Sequence, residues 1–158
     1  MTSTSLFETP YQERFFEDYI EGMVLTFGSV TVNEAQIIDF AKRFDPQVYH
    51  IDPDGAKDTI YGGVIASGWH TGSLMMSMMV PYYLSDKSSM GSPGLKNLHW
   101  LAPVRPGDTL SVRLKITECR RSQSRPDRGI VKSFVEVLNQ DQVVVMDFNA
   151  VNFTACRA

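Results

Sequence analysis

Asp45 and His50, in the segment FDPQVYHIDPDGAK, are the residues of this 158-residue chain whose types and spacing best suit proton transfer. A carboxylate and an imidazole on one short segment can share general acid and base work, since the imidazole titrates near neutrality. A little downstream, Gly68 follows YGGVIAS and opens a methionine-rich segment. If that segment is a helix, its first turn offers free backbone N–H groups and a favourable dipole to an oxygen that gains negative charge. An acid/base pair and a helix start so near in sequence read as one active site.

Secondary elements must bring them together. MVLTFGSVTV (23 to 32) reads as a strand from its β-branched content, feeding a helix that starts near Thr31, where Thr31 and Glu34 have capping-box spacing. Ile37, Phe40, Ala41 and Phe44 recur at three- and four-residue intervals and give that helix one apolar face; it should stop near Asp45, before Pro46. A second helix is expected from about Ser67. Leu74, Met75, Met76, Met78, Met79 and Val80 leave its later half without a polar face, so it reads as buried, breaking near Pro81. SDKSSMGSPG (85 to 94) is a loop by composition. Beyond it, LSVRLKITE (110 to 118) alternates apolar and polar residues at every step, as a strand with one wet face does. Turn signals at 105 to 108, 124 to 129 and 139 to 142 separate LKNLHWLAPV, that strand, IVKSFVEVL and VVVMDFNAVNF, which predicts a four-strand antiparallel meander. The fold class expected is α+β: one antiparallel sheet wrapping one apolar helix. Residues 1–18 lack periodicity and are expected to form a peripheral arm, leaving 19–158 as a single domain.

Composition narrows the function class. Fifteen basic and eighteen acidic side chains give a formal net charge of -3, without the basic field of a nucleic-acid binder. The start of the chain lacks a basic stretch followed by an apolar run, so no secretory signal is read and a cytoplasmic protein is expected. Cys119 and Cys156 are too few for a disulfide framework and read as free thiols. GWHTGSLMMSMMVPYYL is too short and too polar to span a bilayer.

The run D-x4-H-x-D-P with Ala56 six residues after His50, the segment YGGVIASG, and PVRPGD before an alternating strand together resemble the MaoC-like dehydratases, which include the R-specific enoyl-CoA hydratases. The resemblance runs from about Glu21 to Phe153. It implies the hot-dog fold, with a long central helix wrapped in antiparallel sheet, homodimers or higher homo-oligomers built on that sheet, and a coenzyme-A thioester as substrate with no separate cofactor or metal. It implies further that Asp45 and His50 are the catalytic pair and that the Gly68 amide holds the thioester carbonyl. Tyr61, Gly63, Val64, Ser67, Trp69 and Arg128 are the expected substrate-binding residues. Hydration of an enoyl thioester needs these parts: a base for the water, an acid for C2, and a donor for the carbonyl oxygen as the enolate forms. The chain departs from the family pattern at Phe44, Pro46, Gln47 and Val48 around the aspartate, and at Ser67 where many relatives have histidine. The loop is therefore expected to hold a differently shaped acyl group.

Other residues have competing readings. Ser67 is a helix N-cap or a ligand contact. Arg121, Arg125 and Arg128 surround a turn and are either solvated surface or a phosphate-binding patch. The methionines of 75 to 79 are core packing or an acyl tunnel. Asp52 and Asp54 form a turn pair, outside the calcium-loop spacing. His70 reads as a helix-surface or pocket residue and His99 as a strand residue. Two alternative functions stand beside hydration and dehydration: hydrolysis of the thioester, and binding of an acyl thioester without turnover.

Overall fold

The computed structural model describes residues 7–158 and carries one five-stranded antiparallel sheet curved around one long helix. In chain order the elements are β1 (Val24–Thr31), α1 (Glu34–Phe44), α2 (Val48–Ile51), α3 (Pro53–Lys57), α4 (Gly68–Tyr82), β2 (Gly94–Trp100), β3 (Thr109–Arg121), β4 (Arg128–Leu138) and β5 (Val144–Ala155). The sheet order is β1-β3-β4-β5-β2. Only β3, β4 and β5 form a meander. The expected fourth member, β2, crosses to the far side and pairs with β5, with Trp100 opposite Met146. A hairpin needs a tight connection, but LAPVRPGD is spent differently: Ala66 N–H donates to Val104 O and Val32 N–H to Asp108 O, so this segment ties β1 and the start of α4 together.

The alternation in β3 has the expected consequence. Leu110, Val112, Leu114 and Ile116 are wholly buried against α4, and Val131, Val135, Val137, Phe148 and Ala150 of the neighbouring strands complete that layer. The outer face is tied by cross-strand ion pairs, Arg113–Glu136 at 2.7 Å and Lys132–Glu118 at 2.7 Å. β1 crosses α4 at Gly28, whose φ of +80° favours glycine and whose missing side chain leaves room for Met78.

Three local expectations are corrected. The cap of α1 is Asn33, whose side chain accepts from Ala35 N–H at 2.8 Å; Thr31 remains in the strand, where its hydroxyl meets that of Thr109. The stretch after Asp45 holds two short helices, and Asp52 caps the second by accepting from Asp54 N–H. α4 is not buried all round: Met75, Met78 and Met79 are in the core, whereas Trp69, Met76 and Val80 are exposed along one stripe. It also continues through Pro81 to Tyr82, near enough to its end that the lost donor costs little.

Within the expected N-terminal arm, residues 1–6 lie outside the described residues. The rest packs on the far end of α4. Phe7 is buried against Tyr19 and Tyr83. Arg14 is buried, lies over the Phe7 ring, and donates to Thr9 O and Tyr82 O at 2.9 Å each. Tyr19 OH donates to Tyr83 O at 2.8 Å. A cation and a hydroxyl thereby satisfy carbonyls that the end of a helix leaves open. Among the described residues, no helix is long and apolar enough to cross a membrane.

Candidate active site

Asp45 sits where α1 stops. Its N–H still donates to Ala41 O, but its φ of -154° leaves the helix and turns the side chain toward the start of α4. His50 lies on α2, buried, with Nε2 3.3 Å from Asp45 Oδ2 and Nδ1 2.7 Å from Ile65 O. A carbonyl can only accept, so Nδ1 carries the proton in either charge state of the ring. In the neutral ring Nε2 is therefore a lone pair, able to take a proton; in the imidazolium, its N–H faces the Asp45 carboxylate.

Both oxygens of Asp45 have donors. Gln47 Nε2 donates to Oδ1 at 2.7 Å, and Ser67 Oγ donates to Oδ2 at 2.7 Å. Tyr49 OH in turn holds the Gln47 carbonyl oxygen. Burial, the largest single influence, pushes the Asp45 carboxyl upward. Gln47, Ser67 and the neighbouring imidazole together outweigh it and hold the group below the usual carboxylate range. The carboxylate is therefore ionised at neutral pH, fixed in place, and complementary to a positive His50.

These groups line a cavity of about 480 Å³. Its lining includes the aromatic rings of Tyr49, Tyr61, Trp69 and Trp100, with Gly68, Ile65, Leu101, Val104 and Val145. Ser67, wholly buried, is the N-cap of α4, its Oγ accepting from Trp69 N–H at 3.3 Å, and it has a role the sequence did not suggest, donating to Asp45. Gly68 is the first residue of α4, so its N–H has no partner within the helix.

The expected site residues divide by position. Asp45, His50, Gly68, Tyr61 and Trp69 line the cavity, and Ser67 supports it from beneath. Gly63 is next to Arg105, whose guanidinium donates to Tyr61 O at 2.7 Å, and Val64 is a core residue; neither lines the cavity. Arg128 begins β4 opposite Ala155, at the end of β5 remote from the cavity-lining Val145, and pairs with Asp127. Within one chain it does not reach the cavity. His70 turns away from the site: it is buried, stacks on Phe40 with centroids 4.8 Å apart, and lines a separate groove with Arg43, Phe44 and Leu74. His99 is on β2 and meets Asp147 at 2.8 Å.

Sequence reading missed two contributors. Gln47 was noticed only as a departure from a pattern, although its place two residues from Asp45 is the spacing at which an amide can return to a carboxylate. Trp100 gave no sequence signal, because strand pairing alone brings it beside Gly68.

The match to known proteins agrees with this architecture. The MaoC-like domain family matches residues 16–137, most of the chain, and the protein belongs to that family. Its fold is the hot-dog fold. A MaoC-like dehydratase from Rhodospirillum rubrum is similar, with 35% identity, a TM-score of 0.85, and coverage of 92% of this chain and 99% of that one. An R-hydratase from Pseudomonas aeruginosa shares the fold, at 23% identity and a TM-score of 0.72, covering 91% of this chain and 86% of that one. A double-hotdog protein from Mycobacterium tuberculosis shares the fold at 14% identity and a TM-score of 0.76, covering 91% of this chain and 44% of that one, so this chain spans less than half of it.

Proposed function

We propose that the protein is a hydratase or dehydratase that interconverts a trans-2-enoyl thioester of coenzyme A and the corresponding 3-hydroxyacyl thioester. The observation that carries this reading is the fixed Asp45–His50 pair, with Nδ1 of His50 held by Ile65 O and Nε2 turned to Asp45, in one cavity with the first residue of α4. Membership of a family whose similar solved structures include a dehydratase supports it. In the hydration direction, His50 Nε2 takes a proton from water and the hydroxide oxygen bonds to C3. The C2=C3 electrons move onto the thioester oxygen, and the resulting enolate takes a proton at C2 from the imidazolium. One water is added, and His50 returns to its starting state. Asp45 stays ionised, orients the ring and balances its transient charge. The Gly68 N–H stabilises the oxygen. Dehydration runs the same steps backward.

The coenzyme-A portion is part of the substrate, and no other cofactor is required by these steps. We also propose a cytoplasmic homodimer, with the exposed stripe of α4 and the edge strand β2 in its interface.

Mass spectrometry of the acyl chain after reaction with a panel of trans-2-enoyl-CoA thioesters in isotopically heavy water tests the proposal. One labelled water should be gained, and His50→Ala or Asp45→Asn should lower the rate by at least about 10²-fold. Release of free coenzyme A would replace this reading with a thioesterase, and binding without turnover would replace it with a carrier role.

A further inference from the structure

We infer that Trp100 is a second hydrogen-bond donor to the substrate carbonyl, so that a side chain of the edge strand and the backbone of α4 together form the oxyanion site. This rests on the thioester reading and extends it to a residue that carries none of the chemistry described so far.

The geometry begins at Gly68. A Cβ on that residue would collide with the Trp100 indole, whose Nε1 lies 2.5 Å from the position it would take. A backbone nitrogen is itself about 2.5 Å from its own Cβ position, so Gly68 N and Trp100 Nε1 are no more than about 5 Å apart. Two donors that share one oxygen at about 2.9 Å each cannot be separated by more than about 6 Å. The spacing thus suits convergence on one acceptor.

Trp100 is also free to donate. Its indole nitrogen can only donate, and its ring meets that of Trp69 edge-on, with centroids 5.1 Å apart. No described residue accepts from Nε1. Both tryptophans and Gly68 line the cavity that holds Asp45 and His50. The strand is shaped for this placement: β2 changes register between Lys96 and His99, with Asn97 at a φ of 52°, and such an irregularity re-aims the side chains that follow. The absence of a side chain at residue 68 is what admits the indole.

Packing alone would also explain an indole against a glycine, so the test separates donor from bulk. Trp100→Phe keeps an aromatic ring and loses the N–H, while Trp100→Ala loses both. Loss of one oxyanion donor costs about 10²–10³ in turnover where it has been measured, and an indole with partial exposure is expected to give about 10- to 100-fold. Hydration of trans-2-butenoyl-CoA should therefore show kcat reduced by that factor in Trp100→Phe, with KM within about threefold of the parent. Bound cinnamoyl-CoA, whose absorption moves to longer wavelength when its carbonyl is polarised, should lose part of that displacement in the same variant. Unchanged kcat and unchanged absorption in Trp100→Phe, with an active parent, overturn the role of Trp100 and leave the thioester reading intact. A parent that neither hydrates the butenoyl thioester nor binds the cinnamoyl one overturns both.

Discussion

Ser67 ties the Asp45–His50 pair to the helix that would hold the substrate oxygen, because one hydroxyl accepts from Trp69 N–H and donates to Asp45. Its removal separates two effects by their size and their dependence on pH. Ser67→Ala loses an N-cap, which lowers stability by about 1 kcal/mol in chemical denaturation. It also removes one of the donors that hold the Asp45 carboxyl low, so the carboxyl moves up toward its ordinary value. A carboxyl depressed in the folded state adds stability above the ordinary carboxylate range, and that contribution disappears as pH falls through the lowered value. With Ser67→Ala, the part of the stability that disappears on acidification should therefore be smaller than in the parent. Equal losses on acidification would mean that Ser67 does not hold the Asp45 carboxyl low. At this scale Asp45, His50 and Gly68 were legible as candidates, mostly through the family resemblance, and the structure brings the three to one cavity. Gln47 and Trp100 were not legible, the first because an amide beside a carboxylate is common, the second because its neighbour is distant in sequence.

Among the elements, α1 and α4 meet through His70, whose ring stacks on Phe40. Nδ1 of that histidine is buried without a partner, and burial lowers its pKa. In the folded state protonation is disfavoured, whereas the unfolded chain takes the proton near the ordinary histidine value. Stability must then fall as pH drops through about 6.5. His70→Leu removes this dependence. In urea titrations the variant should gain stability on the parent as pH falls from 8 to 5, because the parent loses stability over that range and the variant does not. Parallel stability profiles across that range would show that His70 finds a partner when charged. The same helices show what local pattern can and cannot give. The apolar spacing of Ile37, Phe40, Ala41 and Phe44 located α1 well, but its cap fell on Asn33, since Thr31 is claimed by pairing with Thr109. Likewise β2 was recognisable as a strand. Its partner was not, because the choice between β3 and β5 depends on how the intervening segment is tied to Val32 and Ala66.

For the whole molecule, the surface that remains uncovered is as informative as the core. Trp69, Met76 and Val80 form an exposed stripe on α4, and β2, with Leu95 and Trp100 exposed, lies at the edge of the sheet. An edge strand with free backbone groups beside an apolar stripe invites pairing with another strand, and a second copy of the chain offers the same features in return. The predicted assembly is a homodimer, so light scattering during size exclusion should give twice the 17.8 kDa chain mass. Val80→Glu places a charge on the stripe, eleven residues along the helix from Trp69 and away from the cavity lining. It should shift the mass toward the monomer at micromolar concentration. Trp69 and Trp100 stand both on this uncovered surface and in the cavity wall, so separating the copies should also lower kcat/KM, by about tenfold or more if the partner holds those rings in place. A monomeric parent with full activity would remove the dimer from the account of the site. A dimer whose Val80→Glu variant keeps its mass would move the interface elsewhere on the molecule.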